Sequence, residues 1–213
     1  NPSITDSLAN LCTLFPTAES QTAMEAHPIL ALAPMQDVTN LPFMQVIQQY
    51  GGPDYYVTEY FRVHADYSLE QKILSSITKN ETGRPVYAQL IGQDIEALVR
   101  VATELQAYPI AGIDLNLGCP APVVCRKDAG GGLLRKREQM EHIIASLRDA
   151  ISGKFTVKTR VGYESHDEFP DLLEIFKRHD IDTLTIHGRT VTERYQTPIH
   201  PECIRLAAEQ MKC

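Results

Sequence analysis

The sequence has no tryptophan, no apolar run long enough to span a bilayer, and no surplus of basic residues. Its 20 Lys and Arg face 27 Asp and Glu, a formal net charge of −7. The chain as a whole therefore lacks the basic balance with which many nucleic-acid-binding proteins meet phosphates. With neither an apolar span nor a basic leader followed by an apolar core, it is expected to be cytoplasmic and to make no membrane contact. Cysteine is sparse: Cys12, Cys119, Cys125, Cys203 and Cys213 are odd in number and show no CxxC spacing. That suits a reducing cytosol better than a disulfide framework and gives no zinc-site spacing, so no metal is expected. No GxGxxG follows the first predicted strand; the turn there is Pro34-Met35-Gln36-Asp37. A doubly wound dinucleotide fold would place its fingerprint at that point. The first residue is Asn, which implies a processed or internal start.

What is present is ordinary globular composition, 43% hydrophobic and 22% charged over 213 residues, enough for one sizeable core. Residues 1–27 carry three acids and no Lys or Arg, and read as a weakly ordered extension with one short helix over Ser7 to Leu14. From residue 28 to 213 a rhythm of strands and amphipathic helices sets in. Ile29 to Met35 reads as a buried strand. Asn40 caps a helix whose apolar face is Phe43, Val46, Ile47 and Tyr50. Tyr55 to Glu59, Val86 to Leu90, Ile113 to Leu117, Phe155 to Val161 and Thr183 to His187 are the following strands. Helices lie between them, near Ser68 to Ile77, after Asp94, through Met140 to Ile151, through Phe169 to Phe176, and from Pro201 to Met211. Alternation of this kind means parallel βαβ units. The predicted fold class is α/β, a (β/α)₈ TIM barrel that is incomplete, with about six of its βα units ending at Cys213.

Alternate residues of a strand face opposite ways. Gln89, then Asp114 and Asn116, then Lys158 and Arg160, then Thr185 and His187 all oppose apolar neighbours in their own strands. Polar faces that recur in successive strands predict one shared polar site at the carboxyl-terminal mouth. The stretch IDLNLGCPAPVVCRKDAGGGLL, Ile113 to Leu134, sits at its centre: strand, stiff proline-bearing loop with Cys119, then a glycine triplet. A thiol held there is a candidate nucleophile or general acid, and the want of an adjacent base favours the acid. Cys125 in the same loop reads as structural. An inward Lys158 needs an ion pair, with Asp114 or Glu59 as candidates, or an anionic ligand. His187 at a strand end is a candidate site residue. Gln89 and Asn116 suit a planar heterocycle bearing both donors and acceptors. Gly130 to Gly132 reads as a turn into the next helix, with phosphate binding as the alternative. The basic run Arg126, Lys127, Arg135, Lys136 and Arg137 reads either as a solvated loop and helix start or as a local patch.

Taken together, LAPMQDVTN (Leu32 to Asn40), YAQL (Tyr87 to Leu90), DLNLGCPAPVV with AGGGLL, VKTRVGY (Val157 to Tyr163) and TIHGRT (Thr185 to Thr190) with Tyr195 resemble the tRNA-dihydrouridine synthases. These are FMN enzymes with a TIM-barrel catalytic domain. The resemblance runs from about Ile29 to Cys213. It implies reduction of uridine to 5,6-dihydrouridine in tRNA, with NADPH as the reductant. Cys119 would be the proton donor to C5 of the uracil. Pro34, Met35 and Gln36 would lie against the flavin, Gln89, Lys158 and His187 would contact it, and Asn116 and Arg160 would hold the target base. The alternatives are a catalytically inactive barrel fragment serving as a binding module, and an FMN oxidoreductase acting on a free pyrimidine. The family's later loops that hold the FMN phosphate have no counterpart among these residues.

Overall fold

The computed structural model describes residues 28–212. The stretch read as a weakly ordered extension, residues 1–27, lies outside the described residues. The strands are β1 (Ala31–Leu32), β2 (Tyr55–Val57), β3 (Phe61–Arg62), β4 (Val86–Ile91), β5 (Gly112–Leu117), β6 (Lys154–Arg160) and β7 (Thr183–His187). Every pairing is parallel, in the order β1-β2-β4-β5-β6-β7, with β3 also beside β4. The sheet curls into a half-barrel of six strands. The helices are α1 (Leu41–Gln49), α2 (Gln71–Thr78), α3 (Ile95–Leu105), α4 (Pro122–Cys125), α5 (Arg137–Ala150), α6 (Phe169–Lys177) and α7 (Pro201–Gln210).

Period-two patterning places the core. Ala88 and Leu90 of β4, Ile113 and Leu115 of β5, and Phe155 and Val157 of β6 are wholly buried. Their partners are the apolar stripes of α3 (Leu98, Val101, Ala102, Leu105) and α5 (Met140, Ile143, Ile144, Leu147), all in one cluster. Each such aliphatic side chain contributes about 1.5–3 kcal/mol by leaving water. Asp94 caps α3, accepting the Ala97 N–H at 3.0 Å, and Asn40 caps α1, accepting the Phe43 N–H at 3.2 Å. The helix pattern after Asp94 predicts an apolar face of Ile95, Leu98, Val99, Ala102 and Leu105, and the stripe is rotated from it: Ala97 and Val101 are buried, while Ile95 and Val99 are only partly so.

Three expectations change. The first strand is two residues long rather than seven, and Ala31 is exposed, not buried. Pro34 has no N–H to extend the ladder, the chain turns at Asp37 (φ 61°), and among the described residues β1 pairs only with β2. In α1 the buried residue is Met44; Val46 and Tyr50 are exposed, and this helix flanks the short end strand β1. The second strand is split into β2 and β3. Val57 faces Tyr87, yet Phe61 faces Leu90, so β2–β3 carries one more residue than the partner between those pairs. This is a bulge. The Gln89 N–H is satisfied there by the Thr58 hydroxyl, at 3.1 Å.

Candidate active site

The inward polar side chains meet above the core. Asp114 on β5 is wholly enclosed, and burial pushes its carboxyl up to about 6 against hydrogen bonds that pull it down. It accepts the Thr156 hydroxyl at 2.6 Å and Gln89 Nε2 at 2.7 Å. A carboxylate only accepts, so it fixes the Gln89 amide with nitrogen toward it and oxygen away. Gln89 Oε1 then accepts Asn116 Nδ2 at 2.9 Å. Asn116 is oriented in turn, and its Oδ1 accepts the backbone N–H groups of Gly118, at 3.0 Å, and Cys119, at 2.9 Å. A one-way relay thus runs from a buried acid to the backbone that presents Cys119.

The same loop is gripped from two other sides. Arg160 is buried; its Nε donates to the Gly118 carbonyl at 2.9 Å and its Nη1 to the Thr190 carbonyl at 2.8 Å. From below, the Gly131 N–H donates to the Cys119 carbonyl at 3.0 Å. The glycine triplet is a 3₁₀ turn (Gly130–Arg135), not a loose one. A Cβ on Gly131 would come within 2.6 Å of Val191 Cγ2 and 2.9 Å of the Cys119 carbonyl, and one on Gly132 within 2.7 Å of the Cys125 carbonyl. Close approach explains these glycines. Cys125 is buried, burial raises its thiol pKa, and its Sγ donates to the Cys119 carbonyl at 3.5 Å.

Cys119 opens on a cleft of about 270 Å³ lined also by Pro34, Gln36, Gln89, Asn116, Lys158, Arg160 and His187. Met35 does not line it; it is half-exposed, and its backbone is tied to Val38 and Thr39. Lys158 makes no hydrogen bond or ion pair among the described residues, so neither Asp114 nor Glu59 pairs with it by contact. Burial lowers its pKa and Asp114 opposes this. His187 is pushed down to about 4, by burial first and then by Arg160, Lys158 and Arg189, so it is neutral at pH 7. Its Nδ1 is buried without a partner. The cleft therefore offers a half-exposed thiol, an unpaired cation and a neutral imidazole with a free nitrogen.

Sequence reasoning gave Asp114 only a possible ion pair and passed over Thr156 and Tyr60. Thr156 lies two residues before Lys158, on the same inward face of β6, so the period-two rule could have found it. Tyr60 reaches the cleft through the bulge, which carries no local signal.

Residues 31–209 match the family model described as dihydrouridine synthase. The chain belongs to the dihydrouridine synthase family. It is 34% identical to a probable tRNA-dihydrouridine synthase of Staphylococcus epidermidis over 84% of this chain and 55% of that protein. A probable tRNA-dihydrouridine synthase of Staphylococcus aureus is 33% identical over the same shares, and the probable tRNA-dihydrouridine synthase 2 of Bacillus subtilis is 31% identical, again over the same shares. The chain thus spans about half the length of the curated relatives it matches. In fold alone it is also similar to phospho-2-dehydro-3-deoxyheptonate aldolase of Thermotoga maritima, with TM-score 0.51 at 11% identity over 85% of this chain and 48% of that one. The dihydrouridine synthase match encloses every residue of the cleft, from Pro34 to Tyr195.

Proposed function

We propose that residues 28–213 form the catalytic barrel portion of a cytoplasmic enzyme that reduces uridine in tRNA to 5,6-dihydrouridine. FMN would be held in the Cys119 cleft, with NADPH as the source of electrons. One observation carries the reading: the thiol of Cys119 shares a single cleft with an unpaired Lys158 and a neutral His187. The donor set fits a flavin. An unpartnered cation suits the anionic edge of a reduced isoalloxazine, and the orphaned His187 Nδ1 is a buried polar atom in want of a ligand group. Lys158, His187 and Gln89 would hold the ring, with Pro34 and Gln36 against it. Met35 would reach it only through its backbone or after a side-chain rotation.

The chemistry that bound, reduced flavin supplies is a hydride for C6 of the uracil. Cys119 gives its thiol proton to C5, so that two hydrogens add across the C5–C6 double bond. The thiolate left behind regains a proton from solvent through its half-exposed loop. Asn116 holds that loop by its Oδ1 and keeps one Nδ2 hydrogen for the base. Arg160, with Nε and Nη1 engaged on backbone carbonyls, keeps Nη2 for it.

The test is Cys119→Ala. Flavin absorbance on titration with FMN should match the parent, while dihydrouridine formed in tRNA under NADPH should fall by two orders of magnitude or more, about the worth of a placed general acid. Parental dihydrouridine formation by the variant would refute the assignment. Absence of any FMN binding by the parent chain would favour a binding module instead, and reduction of free uracil but not of tRNA a pyrimidine oxidoreductase.

A further inference from the structure

A second cavity, of about 640 Å³, adjoins the Cys119 cleft. The two share Pro120, Arg160 and Tyr195, so they are compartments on either side of one wall. The second is lined by four arginines, Arg126, Arg135, Arg160 and Arg194, and by one acid, Glu193. That acid is occupied: one oxygen accepts the Thr190 N–H at 2.7 Å and the other pairs with His200 Nε2 at 2.9 Å. Arg135 is fixed in place. Its Nη2 donates to the Cys125 carbonyl at 2.7 Å and to Asp128 at 3.1 Å, and its guanidinium lies 4.3 Å from the centre of the Tyr163 ring. Arg126 and Arg194 are exposed and make no side-chain hydrogen bond or ion pair among the described residues.

The basic run of the sequence is thereby divided. Arg126 and Arg135 face this cavity, Lys127 lines a different one, and Arg137 is paired with Asp171 at 2.6 Å. In a chain of net charge −7, four guanidinium groups around one cavity create a local anion site against the overall field. Guanidinium forks match phosphate oxygens in geometry. Tyr195, 77% exposed on the shared wall, presents a ring face on which a base can stack.

We propose that this cavity binds the phosphodiester and base of the nucleotide next to the uridine in the Cys119 cleft. The inference rests on the RNA reading above. A nucleotide phosphate could also belong to a free dinucleotide. The shared wall favours a ligand covalently continuous with the base on the other side.

The experiment is fluorescence anisotropy of a labelled uridine-containing pentanucleotide with the purified chain, at salt from about 50 to 200 mM. Arg126→Ala and Arg194→Ala should each weaken binding about three- to tenfold and flatten the log K against log salt slope by about 0.7 per lost phosphate contact. Arg84→Ala, just ahead of β4 at the opposite end of the strands, should change neither. Parental affinity and slope in the Arg126 and Arg194 variants would overturn the proposal while leaving the enzyme reading intact. No affinity of the parent for the RNA would overturn both. If the variants lose affinity for adenosine 2′,5′-bisphosphate but keep it for the RNA, the cavity serves a dinucleotide and the proposal fails.

Discussion

Asp114→Asn gives the sharpest test of the relay. The folded protein holds this carboxyl at about 6 against an ordinary value of 3.8, chiefly because it is buried. A carboxyl whose pKa is raised on folding is bound to its proton more tightly in the native state, so it stabilises the fold at low pH and that stability is lost as pH rises through 6. By linkage, relative to its contribution at low pH, the group costs about 1 kcal/mol at pH 4.5, where the folded carboxyl still holds its proton, and about 3 kcal/mol at pH 7.5, where it is ionised. Asparagine removes the charge at nearly constant shape. The stability difference, variant minus parent, should therefore grow by about 2 kcal/mol in favour of the variant between those pH values. Urea denaturation of both proteins across this range reads it directly, and the subtraction cancels the carboxylates common to both. The variant should also be poorer at holding Cys119. Asparagine carries a donor as well as an acceptor, so Gln89 loses the carboxylate that orients it, and Asn116 loses its fixed direction with it. A stability gap that stays constant with pH would refute the buried, ionised Asp114 and the relay built on it.

Asn116→Ala should leave the Gly118 and Cys119 N–H groups without their acceptor. A loss of about 2 kcal/mol is expected in urea denaturation, with faster hydrogen exchange at the Cys119 amide, and unchanged exchange would count against the assigned contacts. Gly131→Ala should cost about 1–3 kcal/mol by overpacking. Adding Val191→Ala should restore only part of this, because the other obstruction is the Cys119 carbonyl, which is backbone; full restoration, read by the denaturation midpoint, would place the clash on Val191 alone.

The barrel class was legible because the two periodicities are local. Ile113 and Leu115 alternate with Asp114 and Asn116, and Met140, Ile143, Ile144 and Leu147 recur at helical spacing, with no need of partners to be recognised. The inward set followed from the same rule; Gln89, Asn116, Lys158, Arg160 and His187 line one cleft, while Asp114 and Thr185 do not line it. Other features depend on what lies across space. The exposure of Val46 and Tyr50 reflects what flanks α1, which their spacing cannot report. The relay depends on which way two amides face, and only the carboxylate two strands from Thr58 decides that. The arginine cavity draws on α4 and the glycine-rich turn close after it, and on β6 and the loop after β7, which lie tens of residues farther along. The glycine triplet read only as a turn into the next helix because its neighbours, Val191 and the Cys119 carbonyl, are remote in sequence or hidden in the backbone.

The extra residue between Val57 and Phe61 has a consequence for how this sheet can change. Glu59 there is buried, and one of its oxygens accepts the N–H of Asp37, while Tyr60 turns into the Cys119 cleft. Deleting any one residue of Thr58 to Tyr60 would let the ladder to β4 run unbroken, and the sheet itself would be more regular. Phe61 would stay opposite Leu90, but the three side chains of Thr58, Glu59 and Tyr60 would be reduced to two strand positions that face opposite ways. Deleting Glu59 would remove the clasp on the Pro34–Asp37 turn, deleting Tyr60 would take the tyrosine from the cleft, and deleting Thr58 would leave the Gln89 N–H without its hydroxyl partner. Regularity of the sheet and composition of the cleft are thus opposed at a single residue of chain length, where no side-chain substitution can reconcile them.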